Sequence, residues 1–353
     1  MREENYASYF DKNTGFYMRT GVLDDEGNDM GKDVFMAIYP ELIDVGIMGH
    51  CVHGKSGLCI KSGVQCYQSG LLVNKPNMSL EDFRKIAEES RGKSYQFALG
   101  GRGDPDMHEN FEEILKCCVE NNIVPNFTTS GLGMTEEKAR LCKAYCGAVA
   151  VSEYRQEHTY KAINMLLKAG VTTNIHYVLG NNSIDEAIRR LKERDFPKGI
   201  NAIIFLLHKP IGQGKQDNVL KADDTRVLEF FKIISEGNFP FKIGFDSCTV
   251  PGLINYSTGI DENSIDTCEG ARWSMYISAD MVAYPCSFDQ EGRWAYDIKN
   301  STIEEAWKSE QFEKFRSSFE TSCKGCSERE RCMGGCPISR EITLCKRIDK
   351  KFN

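Results

Sequence analysis

A chain of 353 residues that is 41% hydrophobic can bury a sizeable core, and its length points to two or three domains. Its 44 Lys and Arg against 51 Asp and Glu leave a net charge of −7, the wrong sign for tracking nucleic-acid phosphates. The longest apolar run, Ile203 to Leu207, is far short of the ~20 residues of a membrane span, and an odd count of fifteen cysteines with a charged Met1 to Asp11 stretch predicts a reducing, cytoplasmic setting.

In chain order, the first forty residues read as a hairpin preface, Gly15 to Leu23 and then Val34 to Tyr39. Strand-like runs follow at Leu42 to Met48, Tyr95 to Leu99, Val124 to Thr128, Ala148 to Ser152, Thr172 to Leu179 and Ala202 to Leu207, each trailed by a helical pattern. Two of those helices open on capping-box sequences, Ser79-Leu80-Glu81-Asp82 and Ser183-Ile184-Asp185-Glu186. Six strand–helix repeats imply a parallel sheet, either doubly wound or curled into a barrel.

Ligands of such sheets sit beyond the carboxyl ends of the strands, so the loops there carry the chemistry. The loop after the first strand holds Cys51, Cys59 and Cys66 in a C-x7-C-x6-C arrangement among glycines, with His50, His53 and Lys55 nearby. Three thiolates can hold three irons of a [4Fe–4S] cluster and leave the fourth open, or form a zinc site completed by a histidine. The second strand ends in Gly100-Gly101-Arg102-Gly103-Asp104-Pro105, where missing side chains expose backbone to a ligand but the P-loop lysine and hydroxyl are absent. A polar Thr128-Thr129-Ser130-Gly131 turn closes the third strand.

Toward the carboxyl terminus the cysteines become regular: Cys323-x2-Cys326-x5-Cys332-x3-Cys336-x8-Cys345, preceded by Cys248, Cys268 and Cys286. Short C-x2-C steps bring two thiolates to one centre, and soft thiolate selects iron–sulfur clusters or zinc. Cys117, Cys118, Cys142 and Cys146 have ordinary helical spacing and read as small buried hydrophobes, and His108, His158, His176 and His208 as structural histidines.

Taken together, the three cysteines after strand one, the glycine-rich acidic turn after strand two and the cysteine tail resemble the radical S-adenosylmethionine (SAM) superfamily with a C-terminal SPASM domain, over residues 40 to 346. That resemblance implies an α/β fold: a partial (β/α)6 barrel over 41–240 and a cysteine-rich SPASM iron–sulfur domain over 241–353, behind the preface 1–40. It implies that Cys51, Cys59 and Cys66 bind the radical-generating [4Fe–4S] cluster, that Gly100, Gly101, Gly103 and Asp104 receive the SAM amino group, and that Ser130, Ser152 and Asn174 contact its ribose or carboxylate. Cys323, Cys326, Cys332 and Cys345 would hold one auxiliary [4Fe–4S] cluster. Cys336 would cross to a second with Cys268, Cys286 and Cys248, making three clusters in all.

The implied activity is hydrogen abstraction from a ribosomally made precursor peptide, with thioether or carbon–carbon cross-linking, and with ferredoxin or flavodoxin as electron donor. Arg102 and Arg155, near the SAM loops so implied, read either as holders of a carboxylate of SAM or substrate or as exposed, solvated arginines. An anaerobic sulfatase maturase, which forms formylglycine, is the rival; its general-base aspartate would directly follow Cys286, where Ser287 stands, with Asp289 two residues on. A non-catalytic zinc-binding interaction protein is the alternative of another class. The chain departs from the family in its long cysteine loop, in Asp104 for glutamate, and in Met281, where a glycine usually precedes the ligand at Cys286 by five residues.

Overall fold

The computed structural model describes residues 5–346 apart from 55, 56, 58, 60, 61, 71 and 322; Lys55 therefore lies outside the described residues. Its centre is a ten-stranded sheet. Seven strands are parallel and adjacent in chain order: β3 (Leu42–Met48), β4 (Gln96–Gly101), β5 (Val124–Thr129), β6 (Val149–Ser152), β7 (Thr173–Leu179), β8 (Ala202–Leu207) and β9 (Lys242–Phe245). A strand order without reversal has no switch point, which rules out double winding. Right-handed crossovers then put the intervening helices on one face, and the twisted sheet curls into an open barrel around the other. The sequence reading gives six of these strands; the seventh, β9, lies immediately ahead of Asp246.

The helices are α1 (Leu80–Ser90), α2 (Phe111–Glu120), α3 (Glu136–Tyr145), α4 (Glu157–Lys168), α5 (Ile184–Glu193) and α6 (Thr225–Glu236). Ser79 caps α1, accepting from the Asp82 amide at 3.1 Å. Ser183 does not cap α5: its hydroxyl donates to the Val178 carbonyl at 2.7 Å, tying the helix entry back to β7. The reciprocal capping box found in the structure lies elsewhere, between Thr302 and Glu305.

β7 shows how the sheet divides its faces. Thr173, Ile175, Tyr177 and Leu179 are buried, while Asn174, His176 and Val178 occupy the opposite, concave face. Across that concavity Thr128 Oγ1 meets His176 Nδ1 at 3.2 Å, reaching from β5 to β7 over the small Ala150. Burial lowers the His176 pKa to about 4, so the ring is neutral there. Cys117, Cys118 and Cys142 are buried in the helical layer with the apolar core.

At the other edge, β10 (Ser274–Ile277) pairs parallel with β3, placing Tyr276 opposite Asp44, and continues antiparallel through β11 (Val282–Tyr284) and β12 (Tyr296–Asp297). The turn between β10 and β11 puts Met281 at φ 62° with its side chain fully buried. The backbone thus takes the left-handed conformation a glycine would favour, although the residue is methionine.

The preface is a hairpin in other residues than expected: β1 (Ser8–Phe10) pairs with β2 (Tyr17–Arg19), and 34–39 forms no strand. Turn chemistry decides this. The Asp11 carboxylate accepts from the Asn13 amide at 2.9 Å and the Thr14 hydroxyl at 2.6 Å, and Gly15 supplies φ 72°. Val34, Met36 and Ala37 are instead buried as extended core chain, where the Ala37 carbonyl accepts from Trp307 Nε1 at 3.0 Å. Among the described residues no helix is long and apolar enough to cross a membrane.

Candidate iron–sulfur and cofactor site

The carboxyl ends of β3 to β6 bring the first group of residues together. Cys51, Cys59 and Cys66 are partly buried, and burial, then the neighbouring Cys51 and Cys66, pushes the Cys59 thiol up to about 11. Cys51 is raised first by burial, with Asp104 and Cys66 adding to it. A side chain at Gly70 would sit 3.0 Å from Cys51 Cβ and 3.7 Å from Cys66 Sγ, so glycine lets the two cysteines close over that point. Tyr154, past the end of β6, is raised by burial and by all three thiols, which places its ring beside them; sequence reading missed it because nothing around Glu153-Tyr154 marks a motif.

The glycine turn follows the same loop. A Cβ at Gly101 would lie 2.5 Å from the Met48 carbonyl oxygen, and one at Gly103 2.7 Å from that of His50, so both glycines permit the β4 loop to lie against the cysteine loop. Gly100 faces space in which a Cβ would meet nothing within 4 Å. Asp104 is already engaged: its Oδ1 accepts from the Ser130 amide at 2.9 Å, and its Oδ2 from the Ser130 hydroxyl and from His53 Nε2, the latter at 3.0 Å. That hydrogen bond raises the His53 pKa. Asp104 is therefore a bridge between the loops after β3, β4 and β5.

Ser130 follows β5, and Ser152 is the last residue of β6, so both stand at the carboxyl ends. Asn174 does not. It is the second residue of β7, at the amino end, where its Oδ1 accepts from Asn201 Nδ2 at 2.8 Å. The expectation that it contacts SAM there is corrected by strand direction: the concave face is right, but the end is wrong.

A second group assembles where β9 and the β10–β11 hairpin meet. Cys248 is raised by a hydrogen bond with Cys336 and by burial. Burial, then Cys248, lifts Cys268 to about 12, and burial followed by Cys268 and Cys248 lifts Cys286 further. These four cysteines, 88 residues apart in sequence from first to last, are thus neighbours. Beside them is a buried pair missed in the sequence: Lys209 Nζ donates to Asp246 Oδ2 at 2.7 Å and lies 4.3 Å from the Phe288 ring centroid. Burial works against this ammonium, but Asp246 and the Cys248 and Cys336 thiols hold it above its ordinary pKa. A lysine just beyond a parallel strand was the available signal.

The third group is the tail: Cys332 is raised by burial and by Cys323, Cys345 and Cys326 around it. Gly335, at φ 83°, permits the turn; a Cβ there would stand 2.3 Å from Thr343 Oγ1. Soft thiolates in threes and fours fit iron–sulfur clusters, or zinc.

The first and second groups are joined through aromatic contact. Tyr67, next to Cys66, lies 4.3 Å from Phe288, two residues past Cys286, by ring centroids. Asp289 is buried, with Oδ1 accepting from the Arg293 amide at 3.0 Å and Oδ2 from the Trp294 amide at 2.9 Å, so it closes a turn.

Residues 268–328 match the family model of the SPASM iron–sulfur cluster-binding domain. Among solved structures, SuiB of Streptococcus suis bound to S-adenosylmethionine superimposes with a TM-score of 0.65 at 15% identity, covering 88% of this chain and 78% of that one. SuiB bound to its precursor peptide SuiA gives 0.62 at 15% identity over 88% and 77%. The protein anSMEcpe with bound AdoMet gives 0.60 at 18% identity over 87% and 88%. The chain has the fold of radical SAM enzymes of the SPASM type.

Proposed function

We propose that this protein is a radical SAM peptide maturase, which opens its reaction by hydrogen abstraction and completes it as a thioether or carbon–carbon cross-link in a precursor peptide. The observation that carries the reading is the gathering of eleven cysteines, distant in sequence, into one group of three and two groups of four. When bound, SAM and a reduced [4Fe–4S] cluster supply a 5′-deoxyadenosyl radical. Cys51, Cys59 and Cys66 would hold three corners of that cluster. Gly100 leaves open space for the methionine portion of SAM, with Ser130 and Ser152 on the neighbouring strand ends.

Cys248, Cys268, Cys286 and Cys336 would hold one auxiliary cluster, and Cys323, Cys326, Cys332 and Cys345 the other. With four thiols apiece, neither leaves an iron open for substrate, so their role is electron transfer. An acceptor for the electron left on the cross-linked product is then built into the chain, with ferredoxin or flavodoxin as the external partner. SuiB with SuiA supports a peptide as substrate.

Formylglycine formation is the weaker reading: Ser287 stands where the rival's base would, and Asp289 is held by two backbone amides. The test is co-expression with small cysteine-containing peptides encoded beside the gene. Cross-linking removes two hydrogens from the peptide mass. An unchanged mass in every such peptide, or an aldehyde on a sulfatase sequence, would sink the proposal.

A further inference from the structure

Between the first and second cysteine groups lies a set of buried donors short of well-placed acceptors. Gln68, two residues past Cys66, is only 3% exposed; its Oε1 accepts from Gln290 Nε2 at 3.4 Å, but its own Nε2 is buried without an acceptor. The Tyr67 and Tyr276 hydroxyls border it, and its amide counters the upward push that burial gives both phenols. Arg102, in the glycine turn, also has a buried Nε without an acceptor, and among the described residues no carboxylate pairs with it.

Other cations near the strand ends each face a carboxylate, which Arg102, among the described residues, does not. Arg155 meets Glu186 and donates to the Tyr177 hydroxyl at 3.0 Å, Arg190 meets Glu153 at 3.1 Å, and Lys209 meets Asp246. A buried guanidinium or amide N–H left unpaired costs free energy, so an unpaired set in one place marks an awaited acceptor.

The position of the set narrows what that acceptor is. The Arg102 carbonyl is 2.9 Å from where a Gly70 Cβ would stand, beside Cys51 and Cys66. Its guanidinium lies near Tyr276 and Tyr284, whose rings are 5.8 Å apart on the hairpin that leads to Cys286; its charge opposes the upward push that burial gives both phenols. Tyr276 reaches the spot only because β3 carries Gly46, where a Cβ would lie 2.3 Å from its hydroxyl oxygen. Guanidinium, amide N–H and phenol O–H groups offer donors and positive charge, which suits a carboxylate.

We propose that Arg102 and Gln68 form a subsite for a carboxylate, the Asp or Glu side chain of the peptide substrate, held between the Cys66 loop and the Cys286 hairpin. This rests on the peptide-maturase reading and adds to it a substrate class: peptides with an acidic residue near the one modified. Of the two arginines singled out in the sequence, the structure leaves Arg102 open and Arg155 engaged.

The test uses anaerobically reconstituted, SAM-loaded protein, with binding read by saturation-transfer NMR or calorimetry. Probes are acetyl-Gly-Glu-Gly-amide, its Gln counterpart and free glutarate. The Glu peptide is expected to bind roughly tenfold more tightly than the Gln peptide, the size of one charge-assisted hydrogen bond. Arg102→Gln should erase the difference and Arg102→Lys retain part of it, with iron content confirming that each variant is folded. Equal binding of the two peptides, or a preference that survives R102Q, overturns the subsite. So does a fall in SAM affinity of R102Q without peptide, which would give the guanidinium to the cofactor's own carboxylate. Arg102-dependent binding of glutarate with no binding of either tripeptide would keep the subsite and remove the peptide reading.

Discussion

At the scale of single residues, Asp104 separates two accounts of one side chain. In the family it resembles, this position receives the amino group of SAM; here both carboxylate oxygens are taken by Ser130 and His53. The long C-x7-C-x6-C loop supplies one of these partners, His53. Lengthening a loop costs little closure entropy, about 0.6 kcal/mol per doubling, but a long loop still has to be held in one place. The His53–Asp104 hydrogen bond does that by fastening the cysteine loop to the strand-end loops beneath it. Asp104→Ala and His53→Ala should therefore behave alike, each reducing iron from about twelve to about eight per chain while the tail clusters remain. Iron and sulfide analysis checks this. If D104A keeps its iron and loses only SAM affinity, with H53A unaffected, Asp104 is a cofactor contact.

Residue identity carried much of the site in the sequence, and the limits were local. Spacing marked a loop trio and a cysteine-rich tail, and the family resemblance divided the eleven cysteines into three groups, with Cys336 crossing out of the tail. The links between loops were not legible: His53 to Asp104 and Lys209 to Asp246 join residues 51 and 37 apart, with no pattern connecting them. Asn174 shows the complementary difficulty. Periodicity puts it on the correct face of β7, but only strand direction within the assembled sheet shows that it lies at the amino end.

At the scale of elements, the β10–β11 hairpin keeps its geometry at a cost. Met281 in the left-handed region carries about 1–2 kcal/mol of strain, yet its side chain is fully buried, and deleting a buried Met costs about 2–5 kcal/mol. Burial wins, so Met281→Gly should lower stability by about 1–3 kcal/mol even though it relieves the backbone. A gain in thermal stability would show that the strain is larger than the packing. The parallel strands were readable because they are continuous apolar runs broken by polar turns. β9 has only four residues and includes Gly244, which weakened its signal.

The concave face of the sheet gives a prediction in pH. Burial raises the Asp44 pKa from 3.8 to about 7. The folded protein therefore holds a proton that the unfolded chain has released between about pH 4 and pH 7, and stability falls as pH rises through that window. Asp44→Asn removes the ionisation. It should leave the melting temperature unchanged near pH 4 and raise it by roughly 2–5 °C at pH 8. An equal shift at both pH values would mean that the effect is packing and not charge.

At the scale of the whole molecule, the cysteine-rich segment is built into the barrel's own sheet. β10 extends β3 as a parallel strand, Tyr67 meets Phe288, and the buried Arg316 donates to the Ala271 carbonyl at 2.6 Å and the Trp307 carbonyl at 2.7 Å. The preface locks the same edge, with Tyr6 and Ser8 both donating to Glu41 at 2.8 Å and Arg19 lying 4.1 Å over Trp273. One continuous sheet thus joins the strand ends beside Cys51 and Cys66 to the hairpin that leads to Cys286. Sequence reading found the two sets of cysteines but not this continuity, since parallel pairing of β10 with β3 joins segments more than 200 residues apart.

The central claim is that Cys51, Cys59 and Cys66 hold an incomplete cluster at which SAM is cleaved. It is tested most directly by anaerobic reconstitution of the wild type and of the Cys51→Ala/Cys59→Ala/Cys66→Ala variant, followed by reduction with SAM and quantification of 5′-deoxyadenosine. The account predicts 5′-deoxyadenosine from the wild type with about twelve irons per chain, and none from the variant while about eight remain in the other two groups. 5′-Deoxyadenosine released by the triple variant at the wild-type rate would contradict it.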